Sequence, residues 1–115
     1  MPEHGSIPEF IQKGIEIELP LPGVRGWMIG DGRQQAVFVE FGQTIDVPEH
    51  SHAEQWEIPI AGRVDVKRRG GVETYQPGNS FFIPAGQLHG ATVHAGYKAI
   101  MVFNEPDRYK PKQSV

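Results

Sequence analysis

Short apolar or alternating runs, separated by glycine and proline, fill the chain from residue 15 onward. Such runs are typical of β-strands, because successive side chains of a strand face opposite sides of a sheet. The 14 glycines and 10 prolines among 115 residues supply the many turns that short strands need. The pattern predicts ten strands, near residues 15–19, 25–29, 35–41, 44–47, 56–60, 64–68, 72–75, 80–83, 91–95 and 98–103.

Two local signals add detail to this pattern. The run VDVKRRGGVETY has two β-prone halves around Gly70 and Gly71, and glycine tolerates the positive φ angles of a two-residue turn, so the run predicts a hairpin. Ahead of the strands, SIPEFIQKG places Ser6 and Glu9 at the spacing of a capping box, with Gly14 as a stop. One short helix is therefore predicted at the start of the chain.

So many short strands in so short a chain predict an all-β fold. A single-domain antiparallel β-barrel or double-sheet jelly roll protects the strand edges, and a small barrel encloses a cavity. We expect the barrel at residues 15–104, an N-terminal arm at 1–14 and a C-terminal tail at 105–115. Because Pro106 and Pro111 cannot continue a central strand, the tail is predicted to be an arm or disordered.

Composition and charge narrow the classes of function. A formal net charge of -3 gives no basic surface for nucleic acid, and Lys67, Arg68 and Arg69 are interpreted as a solvated hairpin end. No apolar run of about 18 residues predicts a membrane span, and the N-terminus lacks the features of a signal peptide, so we expect a cytoplasmic protein. The N-terminal strands and the tail have no obvious partners, which predicts a homodimer.

Histidines provide the candidate chemistry. His50 and His52 alternate in a predicted extended segment, so both imidazoles can point to one side. His89 follows a Pro-x-Gly turn farther along the chain and supplies a third nitrogen for a metal site. The chain has no cysteine, which leaves imidazole and oxygen as ligands. His4 and His94 are expected on the surface.

The spacing of these residues resembles the two sequence motifs of the cupin family. The first motif joins a glycine, a His-x-His pair, a glutamate and a second glycine, and the second motif joins a glycine, Pro-x-Gly, a histidine and an asparagine. The matching positions are Gly42, His50, His52 and Gly62 in the first motif and Gly78, Pro84, Gly86 and His89 in the second, with Val93 in place of the asparagine. The resemblance covers roughly residues 42–93 and implies a cupin jelly roll that holds a metal at the histidines.

The cupin resemblance leaves two candidates for a fourth metal ligand. The glutamate of the first motif falls on Gln55, whose neutral amide oxygen can coordinate a divalent ion. Glu57 lies two residues on and shares the same face of a regular strand. We favour Gln55 as the ligand and Glu57 as a hydrogen-bond acceptor near the metal or a general base. The alternative for Glu57 is a solvent-facing position at a bulge.

The resemblance implies a metal-dependent small cupin. Three imidazoles and an amide oxygen suit one divalent transition metal (Fe, Mn, Ni, Co or Zn), whose undiminished charge attracts a small oxygen-anion ligand. The His, His, Gln, His pattern resembles the small cupins of pectin degradation, but Met101 stands at the position of their aspartate on the last strand. We therefore expect Lewis-acid or base chemistry on a small carboxylate or sugar-derived acid, as in an isomerase or lyase.

Two other functions stay open at this stage. The chain can be a non-catalytic protein that binds or senses a small ligand at its metal, or an Fe-dependent dioxygenase. Glu57 is the good candidate for a catalytic base and favours an enzyme, whereas an apolar cavity wall would favour binding without turnover. Arg108 and Tyr109, just past the last strand, either cap the barrel mouth or belong to a disordered arm.

Overall fold

The computed structural model describes residues 6–113, so the predicted surface position of His4 lies outside the described residues. This part of the chain contains a four-residue helix, α1 (Glu9–Gln12), and ten strands. The strands are β1 (Ile15–Glu16), β2 (Val24–Gly30), β3 (Gln35–Phe41), β4 (Ile45–His50), β5 (Gln55–Ala61), β6 (Val64–Arg68), β7 (Gly71–Tyr75), β8 (Phe81–Ile83), β9 (His89–Val93) and β10 (Lys98–Phe103). No helix in residues 6–113 is long and apolar enough to span a membrane.

The strands form two antiparallel sheets that pack against each other as a jelly roll. One sheet has six strands in the order β1-β2-β3-β10-β5-β8, and the other has four in the order β4-β9-β6-β7. Burial alternates along β3, where Gln35, Val37 and Val39 are buried, because a strand places every second side chain on the core. The core joins residues of both sheets, including Val64 and Phe103. The predicted all-β jelly roll is confirmed.

Strand register brings the two motifs together. β4 pairs with β9 so that His50 lies opposite His89, and the register shifts at a bulge between Val47 and His50. β9 begins at His89, two residues earlier than predicted, because its pairing with both β4 and β6 extends to this histidine. β5 lies between β10 and β8, and Gln55 is opposite Phe103 of β10.

The capping box predicted for α1 is wrong. The helix begins after Pro8, which is its N-cap and makes no side-chain hydrogen bond, so Ser6 does not cap it. Apolar packing positions the helix instead, because Ile7 and Ile11 are buried against Trp27 of β2. Burying two isoleucine side chains contributes roughly 1.5–3 kcal/mol each, more than a typical cap at about 1 kcal/mol.

The β6–β7 hairpin is present, with its turn one residue earlier than the glycine pair suggests. Arg68 pairs with Gly71, so the turn consists of Arg69 and Gly70. Gly70 has a φ of 106°, in the region that favours glycine. Arg68 is not a solvated residue as predicted, because its guanidinium donates hydrogen bonds to a backbone oxygen of β8 and, at 3.1 Å, to Gln87.

The tail is ordered over residues 105–113 and lies against the barrel. The Glu18 N–H donates to the Lys110 oxygen at 2.8 Å, and the Lys112 N–H donates to the Glu16 oxygen at 2.7 Å. Gln35, which is fully buried, holds Tyr109 through two hydrogen bonds: its Nε2 donates to the backbone oxygen at 2.9 Å, and its Oε1 accepts from the backbone N–H at 3.0 Å. These contacts hold Arg108 and Tyr109 in the lining of the cavity between the sheets.

Candidate metal centre

Three histidines converge at one end of this cavity. His50 is the last residue of β4, His89 is the first residue of β9, and His52 follows β4 by two residues. One ring nitrogen from each lies within 4.8 Å of the other two, and the ring centres are 4.3–5.2 Å apart. A metal bound by imidazoles has ligand distances of about 2.0–2.1 Å, so its nitrogens are at most about 4.2 Å apart, and the three rings would close slightly around one ion.

Backbone carbonyls fix the orientation of all three rings. Each histidine has its Nδ1 within hydrogen-bond distance of a carbonyl oxygen, on Pro48 for His50 (2.9 Å), Ala53 for His52 (2.7 Å) and Gln87 for His89 (2.9 Å). A carbonyl can only accept, so each Nδ1 carries the proton and each Nε2 keeps a free lone pair. Metal-binding imidazoles normally have a hydrogen-bond partner of this kind on the ring nitrogen that does not bind the metal.

Burial favours the neutral form of two of the imidazoles. It lowers the pKa of His52 and the pKa of His89, because a charged imidazolium loses hydration in the cavity wall. The positive charge of Arg108 adds to the lowering of the pKa of His52. Neutral imidazole is the form that binds a metal, so this environment favours ligation.

Gln55 and Glu57 both face the cavity. Each is only 6% exposed, and the alternation of β5 places them on the same face. The Gln55 Nε2 donates a hydrogen bond to one Glu57 oxygen at 2.7 Å, and the Tyr97 hydroxyl donates to the other oxygen. The solvent-facing position considered for Glu57 is therefore wrong. Because the amide nitrogen of Gln55 is engaged, its Oε1 is the end left for another contact.

The buried carboxyl group of Glu57 is electrostatically unusual. Desolvation raises its pKa to about 7, although the hydrogen bonds from Tyr97 and Gln55 act in the opposite direction. Burial, together with the neighbouring charge of Glu57, raises the pKa of the Tyr97 phenol well above its ordinary value, so Tyr97 stays protonated and donates. Glu57 is not a member of the group of mutually close ligand atoms that the three histidines form.

Tyr97 was missed in the sequence. It is 1% exposed and precedes β10 directly, and its side chain shares the inward face with those of Ala99 and Met101. Extending the alternation of the predicted strand by one residue at its start would have identified it. Gly62, matched by the first motif, allows this placement, because a Cβ there would be only 2.8 Å from the Tyr97 Cα.

The cavity has a volume of about 290 Å³ and is lined by both sheets and by the tail. Arg108 and Tyr109 belong to this lining. The Arg108 guanidinium carbon lies 4.9 Å from the centre of the Tyr109 ring and 5.9 Å from that of Phe103, whose ring also packs edge-on against His52. The Arg108 Nε is buried and has no hydrogen-bond partner among the described residues. A cation is thus present beside the histidine group.

His94 is outside this site. It lies half-buried after β9, and its Nε2 is 2.7 Å from an Asp65 oxygen on the neighbouring strand β6. Asp65 also accepts a hydrogen bond from Thr74 at 2.6 Å, and these contacts lower the pKa of its carboxyl group. The pair stabilises the outer face of the four-stranded sheet, and neither residue lines the cavity.

Solved structures share this architecture. The RmlC-like cupin from Shewanella frigidimarina is 29% identical, with a TM-score of 0.71 over 93% of this chain and 94% of that one. The chain has the cupin fold. The predicted resemblance to small single-domain cupins is confirmed, and the register of the neighbouring strands β4 and β9 accounts for the position of His50 opposite His89.

Two further cupin-fold structures extend the comparison. KdgF from a Halomonas species is 24% identical, with a TM-score of 0.69 over 80% of this chain and 88% of that one. Oxalate decarboxylase from Bacillus subtilis, a protein with Mn(II) centres, is 17% identical, with a TM-score of 0.62 over 82% of this chain and 30% of that longer one. No protein-family model and no curated protein matches the sequence.

Proposed function

We propose that this chain is a metal-dependent small-molecule cupin that binds one divalent transition metal (Fe, Mn, Ni, Co or Zn). The Nε2 atoms of His50, His52 and His89 would hold the ion. The observation that carries the proposal is the set of three carbonyl contacts, which leaves one ring nitrogen of each histidine free for a metal, within 4.8 Å of the other two. The Mn(II) centres of oxalate decarboxylase, which has the same fold, support it.

Gln55 is the fourth ligand in this proposal. Its Nε2 is occupied by Glu57, so its Oε1 is available to a metal. Glu57 has both oxygens in hydrogen bonds and stands apart from the histidine group, which supports a role in orienting the Gln55 amide rather than in binding the ion. Carboxylates that accept hydrogen bonds from metal ligands commonly have this orienting role.

The ligand of the metal would be a small oxygen anion. With three neutral imidazoles and a neutral amide, the ion keeps its formal +2 charge, and electrostatic attraction is strong in a water-poor cavity. Arg108 adds a second positive charge beside His52, with its buried Nε lacking a partner among the described residues. Oxalate decarboxylase is named for a small carboxylate, which is consistent with this class of ligand.

An enzyme of the isomerase or lyase type fits the cavity chemistry. A bound metal would supply Lewis-acid polarisation of a carbonyl or carboxylate. Glu57 would be the residue that takes or returns a proton, because it is a buried carboxyl group in the cavity lining. It lies directly opposite Met101 on β10. The acidic group is therefore one strand away from the aspartate position of the pectin-degradation cupins.

A binding or sensing protein without turnover is the second candidate. The observation that favours it is the lining of the cavity, which is apolar apart from the residues already described. Both oxygens of Glu57 are also engaged, so a proton transfer would have to displace Tyr97 or Gln55. A substrate consumed by the metal-loaded protein, with the consumption lost in Glu57→Gln at full metal occupancy, would decide for the enzyme.

The metal site is tested by elemental analysis. Protein as purified, and protein reloaded with Mn(II) or Zn(II) after chelation, should hold about one equivalent of metal per chain. His50→Ala and His89→Ala should each lose most of the bound metal on dialysis, whereas His94→Ala, a matched histidine outside the cavity, should keep it. A full equivalent retained by both cavity variants would contradict the proposal.

We further propose that the predicted homodimer forms through the outer face of the six-stranded sheet. An apolar row crosses five strands in register there, and three of its members are about half exposed: Ile29 at 55%, Trp56 at 49% and Phe82 at 48%. The edges of this sheet are short strands of two and three residues, which offer little for edge pairing. Exposed rows of this kind commonly mark interfaces, and a twofold axis would place the row against its own copy.

The dimer is tested by sedimentation velocity. Phe82→Lys should convert a dimer to a monomer at micromolar concentration, because it buries a charge in the interface. Val72→Lys, at a site 61% exposed on the four-stranded sheet, is the control and should leave the dimer intact. A wild-type chain that sediments only as a monomer would refute this part.

A further inference from the structure

The polar groups of the cavity are concentrated around the histidines. Three of them, Gln55, Glu57 and Tyr97, form hydrogen bonds with one another. The other polar side chains of the lining are the three histidines, Arg108 and Tyr109. The Tyr109 ring packs on Phe103, which contacts His52, so both tail residues lie on the histidine side of the cavity. A small molecule bound in the cavity, or guest, therefore finds unsatisfied polar partners only near the histidine group.

The rest of the lining is hydrocarbon. Both sheets contribute aliphatic and aromatic side chains, and the buried ones include Val39, Val64, Val66, Phe81, Val93 and Met101. Val93 occupies the position where the second motif has an asparagine, so a polar group is missing from this wall. His89 is the only polar side chain that β6 and β9 contribute to the described lining.

This contrast restricts the chemical groups that the guest can have in its body, the part away from its charged end. The restriction holds whichever residues bind the charged end. A hydroxyl group placed against the valine wall would lose its bonds to water without replacement, which costs about tenfold in affinity, or roughly 1.4 kcal/mol, per group. Each methylene placed there would instead gain about fourfold. The volume of about 290 Å³ is at the lower end of ligand pockets, so the body must also be small.

We infer that the guest is a small monoanion with an apolar body, of the class of branched aliphatic or aromatic 2-oxo or enol acids, and not a polyhydroxylated sugar acid. The inference rests on the proposed function for the position of the oxygen end, at the metal and Arg108. The body lies against the wall formed by β6, β9 and the inner face of β3. This narrows the class of ligand expected from the sequence, which included sugar-derived acids.

Calorimetric titration of Zn(II)-loaded protein tests the inference with four probes that differ in their bodies. Pyruvate has the charged end alone, 4-methyl-2-oxopentanoate and phenylpyruvate add apolar bodies to the same 2-oxo acid, and galacturonate carries its carboxylate on a hydroxylated sugar ring. We expect 4-methyl-2-oxopentanoate to bind at least tenfold more tightly than pyruvate, and galacturonate to bind more weakly than either. Galacturonate binding as tightly as the apolar acids, or pyruvate binding with no gain from an apolar body, would overturn the inference.

A matched pair of variants locates the effect. Val93→Thr keeps the shape of the side chain and adds a hydroxyl to the cavity wall, so the preference for 4-methyl-2-oxopentanoate over pyruvate should fall at least threefold. Val72→Thr makes the same change on the surface and should leave the preference unchanged. An unchanged preference in Val93→Thr would also overturn the inference.

The outcomes separate this inference from the proposed function. Pyruvate that binds without any gain from an apolar body would refute the inference alone. A chain that takes up no metal would refute the metal site alone, and the same titrations of metal-free protein would then measure the preference of the wall. Metal-loaded protein that binds none of the four acids would refute the inference and the proposed oxygen-anion ligand, but not the metal site.

Discussion

Removal of the Tyr97 hydroxyl gives a direct measure of the buried network behind the metal centre. In Tyr97→Phe, Glu57 loses one of its two donors while the aromatic ring and its packing remain. A hydrogen bond to a charged group contributes about 1.5–3 kcal/mol, and the carboxyl group here is 6% exposed, so water cannot replace the donor. We expect a loss of about 2 kcal/mol in the free energy of unfolding at pH 8, above the pKa of Glu57 of about 7.

Urea unfolding of metal-free protein measures this loss. With a slope near 2 kcal/mol/M, typical of a small domain, the midpoint should fall by about 1 M. Tyr75→Phe is the control, because among the described residues the Tyr75 hydroxyl contacts only Arg68, at 3.5 Å, and the exposed side chain of Glu73, where water can replace it. The Tyr75 ring stacks on Phe81 in the same way without the oxygen. A midpoint for Tyr97→Phe within 0.25 M of the control, a margin that corresponds to about 0.5 kcal/mol, would mean that Glu57 does not depend on the tyrosine.

Three further predictions concern metal, ligand set and pH. Chelation should lower the midpoint of thermal unfolding of the metal-loaded wild type but not that of His50→Ala, and equal shifts in both would place the ion elsewhere. Glu57→Gln should weaken metal binding about tenfold in a chelator competition, by disturbing Gln55, and a loss as large as that of His89→Ala would make Glu57 a ligand. Asp65→Asn should lower stability by less than about 1 kcal/mol at pH 7. The folded-state pKa of Asp65 is lowered, so this difference should be present above the ordinary pKa of 3.8 and disappear as the pH falls through the folded-state value, and a difference that persists in acid would refute the pairing with Thr74 and His94.

The histidine cluster could be predicted from the sequence because each half of it lies in a short motif, and the resemblance of both motifs to the cupin family implied that the halves meet. Strand periodicity places His50 and His52 on related sides, and a turn with fixed spacing precedes His89. The same periodicity predicted that Gln55 and Glu57 share one face of their strand. What periodicity could not give is the pairing of the two polar groups with each other and with Tyr97, which is 40 residues farther along the chain than Glu57.

The predictions of the turn register and the helix cap were wrong because each rested on a sequence pattern that fits more than one local structure. Two adjacent glycines fit a turn in either of two registers, and cross-strand pairing of Arg68 with Gly71 decides between them. The spacing of Ser6 and Glu9 fits a capping box, but burial of Ile11 against Trp27 determines where the helix lies. In both cases tertiary contacts contribute more free energy than the local preference.

The tail could not be placed because its anchor is a buried glutamine 74 residues away. Pro106 and Pro111 indicated that no central strand continues there, and this holds, since the tail forms only an isolated bridge between Pro111 and Ile17. Nothing in the sequence marks Gln35 as the partner of Tyr109. A glutamine at an inward position of an otherwise apolar strand is the signal that a polar segment must reach it.

The way the tail is attached affects how such a protein can evolve. Imidazoles are supplied by the barrel, whereas the cation beside them, Arg108, is supplied by a segment outside it that Gln35 fastens through backbone atoms alone. Substitutions at Arg108 can therefore alter the charge of the accepted guest without loosening the fastening or disturbing the strands that bear His50 and His89. If the proposed function holds, metal binding and the charge selected in the ligand can be inherited, lost or exchanged separately.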